Sequence, residues 1–434
     1  MKLILGLGET GLSVAKFLTA NNVEFKIADS RIEPPLISSY VYNPAPILGD
    51  WKKDLLSGID EVYISPGIAK SESIYVWLSE QEIPVVSDIE LFSRHVSSPI
   101  IGITGSNGKS TVTKLFSEMI HNSGYKVAVG GNLGRPALEL ISDDIDYYVL
   151  ELSSYQLDYT NELNLFAGVV LNITPDHLDR YDSFQSYVES KLSIYKYCQN
   201  CVVNVSEEYT KGITASKYFN AENKKQQKDI INTVHREGDN LLNGNSFLIK
   251  TDDIALIGEH NIANIMAAFA LGDLLKLPTG AMTKSVKEFK GLEHRLERVA
   301  TIKNVEFFND SKATNVISAI TALHAIVNSY NQVVLIAGGI AKKEDYSELY
   351  NLINERVSYV VLIGISADYL AEGIETSKVK FASSMSEAVN IASKLIENGA
   401  ILLSPACASF DMFDNFEKRG HEFKDSVRML SPLS

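Results

Sequence analysis

The sequence is poor in cysteine, with three in 434 residues. An odd count builds no disulfide framework, so the fold must rest on buried apolar surface. Cys198 and Cys201 form a CxxC pair, but no second ligand pair stands nearby to complete a zinc site. They read as two small residues at a helix-to-strand junction. Positive charge is also short: 40 Lys+Arg against 54 Asp+Glu, a net charge of −14. Such a surface repels nucleic acid and anionic membranes. A phosphate-bearing ligand must then be held by local groups. No apolar stretch reaches the length of a membrane span, so no membrane insertion is expected. Residues 1–5 are apolar but lack the length and cleavage pattern of a signal peptide. The expected compartment is the cytoplasm. Short repeats and low-complexity tracts are missing as well.

What is present is a long alternation of strands and helices. A chain of 434 residues exceeds one ordinary core, and 45% hydrophobic content fits a folded globular protein. Short apolar strands are expected at 2–5, 23–28 and 61–65, with a glycine turn at 6–11 and a helix at 12–20. This is the grammar of a parallel α/β sheet. A second unit opens with a strand at 100–103 and continues with strands at 126–129, 147–150 and 168–171. A polar stretch at 220–229 reads as a surface excursion. A third α/β unit follows, with strands at 332–337, 359–363 and 400–403. The expected domains are 1–92, 93–292 and 293–434.

The strongest motif is Thr104-Gly105-Ser106-Asn107-Gly108-Lys109-Ser110-Thr111. It follows an apolar strand and precedes a helical pattern at 112–122, the context of a phosphate-binding loop. Backbone N–H groups and the helix N-terminus face the phosphates. Lys109 adds a point charge, and Ser110 or Thr111 can place a hydroxyl on magnesium. The usual first glycine falls at Ile103, which departs from the common pattern. Two further strands lead to Glu151 and to Asn172, Asp176 and His177. Ligands gather beyond the carboxyl ends of parallel strands, and a carboxylate there suits magnesium.

Lys191 is out of place. Phe184, Tyr187, Val188, Leu192 and Tyr195 mark one apolar helix face, and Lys191 falls on it. A lysine there either snorkels to the surface or has work to do in a site. At the other end, Gly6-Leu7-Gly8-Glu9-Thr10-Gly11 with Asp29 after the next strand reads alone as a dinucleotide fingerprint, hence a dehydrogenase. The same turn binds any diphosphate. A hydride-transfer enzyme has no evident use for the ATP loop that follows.

Taken together, the motifs resemble the Mur ligase family. The ATP loop, Gly131-Asn132-Leu133-Gly134, Glu151-Leu152-Ser153-Ser154-Tyr155-Gln156-Leu157 and Asp176-His177-Leu178-Asp179-Arg180-Tyr181 carry the likeness. So do Gly258-Glu259-His260-Asn261-Ile262-Ala263-Asn264, His294-Arg295 and Asn309-Asp310-Ser311-Lys312-Ala313-Thr314-Asn315. The block at 403–411 and Asn415-Phe416-Glu417-Lys418-Arg419-Gly420 look like the D-glutamate-adding branch.

The resemblance implies three domains: a Rossmann-like one, a P-loop ATPase-type one and a second Rossmann-like one. It implies an ATP-dependent ligase of peptidoglycan precursor synthesis that joins D-glutamate to UDP-N-acetylmuramoyl-L-alanine. A sister ligase adding another amino acid is the alternative. Gly105, Ser106, Asn107, Gly108, Lys109, Ser110, Thr111, Asn261, Asn264, His294, Arg295, Asp310 and Lys312 match ATP positions. Thr10, Asp29, Ser30, Arg31, Ser65, Pro66, Gly67 and Asn132 match positions facing the UDP substrate. Thr314, Lys342, Ser409, Phe410 and Phe416 match positions around D-glutamate; Lys342 has a second lysine, Lys343, beside it. Ser110, Glu151, His177 and Lys191 match positions around two magnesium ions, with Lys191 carbamylated by carbon dioxide. Catalysis falls to Lys109, Lys191 and His177, although a metal-bound histidine cannot freely serve as a base. The partners implied are small molecules, and the chain is expected to be a monomer.

Overall fold

The structure is a computed structural model that describes residues 1–132, 134–176, 180–220, 231–256 and 258–430. His177, Leu133 and all but the first residue of the excursion expected at 220–229 lie outside the described residues. The chain forms two compact units. One holds residues 1–254 with 262–288, and the other 255–261 with 289–434.

The first unit carries two sheets. In the first, the strands Lys2–Leu5, Phe25–Asp29, Ile47–Leu48, Glu61–Ile64 and Val85–Val86 are all parallel. Lys2–Leu5 lies at the centre, between Phe25–Asp29 and Glu61–Ile64. Leu3, Ile4 and Leu5 are buried, as a strand covered on both faces requires. Strands are added first on one side of this strand and then on the other, and the crevice beyond its carboxyl end at that switch is a natural ligand position. The turn at 6–8, with the start of the helix Glu9–Ala20, and the loop at 65–68 lie at that end.

The second sheet has nine strands. Ile100–Thr104 is an interior strand, third from one edge, parallel to Tyr147–Glu151 on one side and Leu165–Val170 on the other. Its far edge turns antiparallel through Thr233–Glu237, Asn240–Asn243 and Ser246–Lys250. In the second unit, Asn304–Asn309, Asn398–Leu403 and Val333–Gly338 run parallel side by side. Tyr359–Ile363 and Val379–Phe381 continue that sheet, and Glu297–Ile302 closes the other edge antiparallel.

Two helices start a turn earlier than apolar periodicity placed them. They run Glu9–Ala20 and Lys109–Asn122. Each begins directly after a glycine, Gly8 or Gly108, so its first turn is loop-facing and carries no apolar signal. Gly11 shows how tightly the first turn packs. A Cβ there would lie 1.8 Å from the Gly6 carbonyl oxygen. Gly11→Ala is therefore expected to cost about 1–3 kcal/mol, the usual penalty of overpacking. Denaturant unfolding checks this, and an unchanged midpoint would contradict it.

Candidate active site

In the first unit the strand Ile100–Thr104 delivers the phosphate-loop motif, and the Lys109–Asn122 helix receives it. Gly108 has φ +83°, and a Cβ there would meet the Asn264 side chain at 2.3 Å. A glycine is required on both counts. Asn172, at the end of Leu165–Val170, braces the loop from the next strand. Its Oδ1 accepts from the Asn107 N–H at 2.8 Å and its Nδ2 donates to the Asn107 carbonyl at 3.0 Å. Ser106 Oγ lies 2.8 Å from the Tyr187 hydroxyl. The sequence reading gave Tyr187 only an apolar role, because a buried tyrosine and a phenylalanine look alike in periodicity.

Two lysines converge on this loop. Lys109 Nζ donates to the Gly105 carbonyl at 2.8 Å and to Ser106 at 3.0 Å. Lys191 Nζ donates to the same Gly105 carbonyl at 2.9 Å. Lys191 does not snorkel: it is 2% exposed, with its ammonium 4.7 Å from the Tyr187 ring centre. Burial, and then the Lys109 charge, push its pKa well below the ordinary lysine value.

Glu151 ends the strand Tyr147–Glu151 and is buried. Its Oε1 accepts from Asn132 Nδ2 at 2.8 Å. Its Oε2 is buried with no hydrogen-bond partner among the described residues. Glu151 pairs in register with Ile103, so its unsatisfied oxygen stands at the same strand ends as the phosphate loop, and a carboxylate oxygen with the buried Ser110 hydroxyl is a donor set that fits a hard cation such as magnesium. Asn132, expected at the UDP substrate, thus touches a residue expected at the metal.

On the first sheet, Asp29 is buried and already engaged. It accepts from the Leu7 N–H at 2.7 Å and from Arg31 Nε and Nη2 at 2.8 and 2.6 Å. Burial alone would raise its pKa, but Arg31 and the amides outweigh it and hold the carboxylate below its usual value. Asp29 therefore orders the glycine turn and Arg31. Thr10 lies in the first turn of the Glu9–Ala20 helix. Ser65 Oγ lies 3.4 Å from the Gly6 carbonyl, so the 65–68 loop and the glycine turn meet.

The second unit gathers another set at the carboxyl ends of its three central strands. His294 takes φ +64°, and Asn309 Nδ2 lies 2.9 Å from its Nδ1. Lys312 Nζ sits 3.8 Å from the Phe416 ring centre. Ser311 Oγ donates to the Phe416 carbonyl at 2.8 Å. Ser409 is buried, whereas Phe410 is 70% exposed. The Lys312 carbonyl accepts from the Thr314 N–H at 2.8 Å, and the Lys342 carbonyl accepts from the Glu344 N–H at 2.9 Å. Arg419 was quoted in a motif but given no role. It is fully buried and donates to Ser311 and to the Cys407 carbonyl, tying the 309–315 and 404–411 loops together. Burial pushes the Cys407 thiol up to about 11, which suits a structural residue and not a nucleophile.

Asp310 accepts from Ser404 Oγ at 2.8 Å and from the Leu296 N–H at 3.0 Å. Burial still raises its pKa to about 7. The folded state then holds a proton that the unfolded state releases above pH 3.8. Stability should fall as pH rises from about 4 to about 7. In Asp310→Asn that fall should be smaller, read as unfolding free energy against pH; equal slopes would contradict the assignment.

Glu293, His294 and His421 offer ligand atoms within 4.8 Å of one another. They do not form a convincing metal centre. Asn309 donates to His294 Nδ1, which leaves the proton on Nε2, and Lys424 Nζ already holds Glu293 at 2.8 Å.

Comparison with known proteins gives the family of each domain. Residues 1–87 match the Mur ligase MurD-like N-terminal domain, 103–272 the Mur ligase middle domain and 294–407 the Mur ligase glutamate ligase domain. The glycine turn at 6–11 therefore belongs to a ligase module, and nothing supports the dehydrogenase reading. A UDP-N-acetylmuramoylalanine–D-glutamate ligase of Nitrosococcus oceani is 40% identical, covering 98% of this chain and 96% of the relative. The Marinobacter nauticus protein of the same name is 38% identical, covering 99% and 98%. Among solved structures, the UDP-N-acetylmuramate-alanine ligase of Thermotoga maritima has a TM-score of 0.62 at 16% identity, covering 99% of each chain. A pseudomurein peptide ligase of Methanothermus fervidus has a TM-score of 0.61 at 19% identity, covering 99% and 100%. These structures share the three-domain α/β fold. On the family matches and the full-length relatives, the chain belongs to the Mur ligase family.

Proposed function

We propose that the chain is an ATP-dependent amide-forming ligase that joins D-glutamate to UDP-N-acetylmuramoyl-L-alanine, releasing ADP and phosphate. The observation that carries this reading is the loop at 104–111, with Lys109 and Lys191 on one carbonyl and the unpaired Glu151 oxygen. The names of the full-length relatives supply the substrate. Domain limits near 92 and 292 and a cytoplasmic location go with it; no described helix is long and apolar enough to cross a membrane.

A carboxylate is a poor acyl donor until it is activated. Phosphoryl transfer from ATP to the alanyl carboxylate gives an acyl phosphate. The D-glutamate amine attacks it, and the tetrahedral intermediate collapses to the amide and phosphate. Lys109 meets the charge that builds on the phosphoryl oxygens. Magnesium, held by Glu151 and Ser110, would neutralise phosphate charge, with His177 as a further candidate ligand. The low pKa of Lys191 favours its neutral amine, the form that combines with carbon dioxide to give a carbamate and a proton. The first sheet would hold UDP through Thr10, Ser30, Arg31, Ser65, Pro66 and Gly67, with Asp29 ordering Arg31 and the glycine turn. Asn261, Asn264, His294, Arg295, Asp310 and Lys312 would serve ATP. Thr314, Lys342, Ser409, Phe410 and Phe416 would serve D-glutamate.

The test is phosphate release from magnesium ATP and UDP-N-acetylmuramoyl-L-alanine with D-glutamate, L-glutamate, L-lysine or diaminopimelate. Release that requires D-glutamate and yields an amide is expected. Release driven by another amino acid would move the specificity to a sister activity. No release with any of them would overturn the reading.

A further inference from the structure

We infer that Arg180 is a positioning residue for the nucleotide-sugar site: it fixes the loop at 65–68 so that the Gly67 N–H faces the ligand. This rests on the proposed function. Arg180 comes from the segment after Leu165–Val170 in the second sheet, yet its guanidinium reaches the first sheet. Nη1 donates to the Gly67 carbonyl at 2.7 Å, and Nη2 donates to the Ile68 carbonyl at 2.6 Å and to the Pro66 carbonyl. Three successive carbonyls therefore point at one guanidinium.

That has a consequence for the N–H groups. A trans peptide sets its C=O and the following N–H on opposite sides. With the Pro66 carbonyl turned to Arg180, the Gly67 N–H is turned away from it. The Ile68 N–H is spent on the Ser65 carbonyl at 3.1 Å. By the same argument the Ala69 N–H is turned away as well; Gly67 is the one of the two nearer the carboxyl end of Glu61–Ile64, in the loop whose Ser65 meets the glycine turn. A uracil carbonyl or a diphosphate oxygen is the acceptor class such a donor serves.

The clamp is itself held. The guanidinium carbon lies 4.3 Å from the Tyr155 ring centre, a cation–π stack. Tyr155 stacks on Tyr181, whose hydroxyl donates to Asp158 at 2.8 Å. Tyr159 braces the same loop, its hydroxyl donating to the Ile68 carbonyl that Arg180 also holds. Tyr155 lies in the short helix Ser154–Leu157, which follows Glu151. Arg180 therefore joins the nucleotide-sugar loop to the segment bearing the proposed metal ligand. A lysine cannot replace it, because a single ammonium on a flexible stem neither spans three carbonyls nor stacks flat on a ring.

The experiment titrates wild type, Arg180→Lys and Arg180→Ala with UDP-N-acetylmuramoyl-L-alanine and, separately, with magnesium ATP, by calorimetry. Steady-state KM and kcat and thermal midpoints are measured alongside. Both variants should bind the nucleotide sugar about ten-fold or more weakly, the scale of a lost charge-assisted hydrogen bond. Affinity for ATP should stay within about two-fold, below the effect of one lost hydrogen bond. Nucleotide-sugar affinity unchanged in Arg180→Lys, beside a wild type that binds, overturns the inference alone. Equal losses for both ligands with a fallen midpoint mean a merely structural residue and also overturn it. A wild type that binds no nucleotide sugar overturns the proposed function, and this inference with it.

Discussion

Lys109→Ala should lower the rate of phosphate release by about 10²–10³-fold or more, by analogy with the ~3–4 kcal/mol lost when a transition-state charge clamp is removed. The argument starts from charge. The protein carries a net −14, so no general positive field can replace a missing cation at the phosphates. Lys109 lies at the start of the Lys109–Asn122 helix, and its Nζ rests on the Gly105 and Ser106 carbonyls within the loop. Those contacts are part-buried, charge-assisted hydrogen bonds, and losing them also removes the desolvation cost of a half-buried cation, so the fold should stand. The charge on the transferred phosphoryl group peaks in the transition state. The loss should therefore fall mainly on kcat, with a smaller change in the KM for ATP. Steady-state phosphate release and a thermal melt on the same sample decide it. Near-normal turnover in a folded variant would refute the role given to Lys109.

Much of this site was legible in the sequence, for a physical reason. A phosphate loop needs its glycines, lysine and hydroxyls in consecutive positions, so the motif at 104–111 and its flanking strand and helix are local facts. Lys191 was legible because a charge on an apolar helix face violates periodicity, and its burial follows. Side chains that work by long-range contact were not legible. Arg419 ties two loops together, and Arg180 crosses from the second sheet to the first, 112 residues away at Ile68. Neither arginine is odd in its local setting. Asp29 was placed by resemblance among the positions facing the UDP substrate, and its position after the second strand alone fits a dinucleotide fingerprint. In the fold Arg31, two residues on, occupies both its oxygens, a contact no spacing rule announces. Helix starts were missed by a turn at Glu9 and Lys109 because the first turn faces a ligand loop and buries nothing apolar.

Lys191→Met should separate activity from stability. Methionine fills nearly the same volume without a charge, so the core around Tyr187 and Val188 should tolerate it. In the native protein Lys191 pays for its position: burial and Lys109 hold its pKa well below 10.5. A folded pKa below the unfolded one means that the unfolded chain binds the extra proton. Stability then rises with pH between the lowered value and 10.5, and below that window the residue is a net cost. Removing it should leave the midpoint at neutral pH unchanged or higher, measured in buffer stripped of carbon dioxide. Activity should move the other way. If Lys191 acts in the site as a carbamate, methionine should reduce turnover by about 10²-fold or more, the scale of a lost electrostatic group. Wild type supplied with ¹³C-bicarbonate should show a carbamate carbonyl resonance that Lys191→Met lacks. Turnover within a few-fold of wild type would sink the functional role and leave Lys191 as a costly core residue. A lost resonance without lost turnover would make the carbamate incidental.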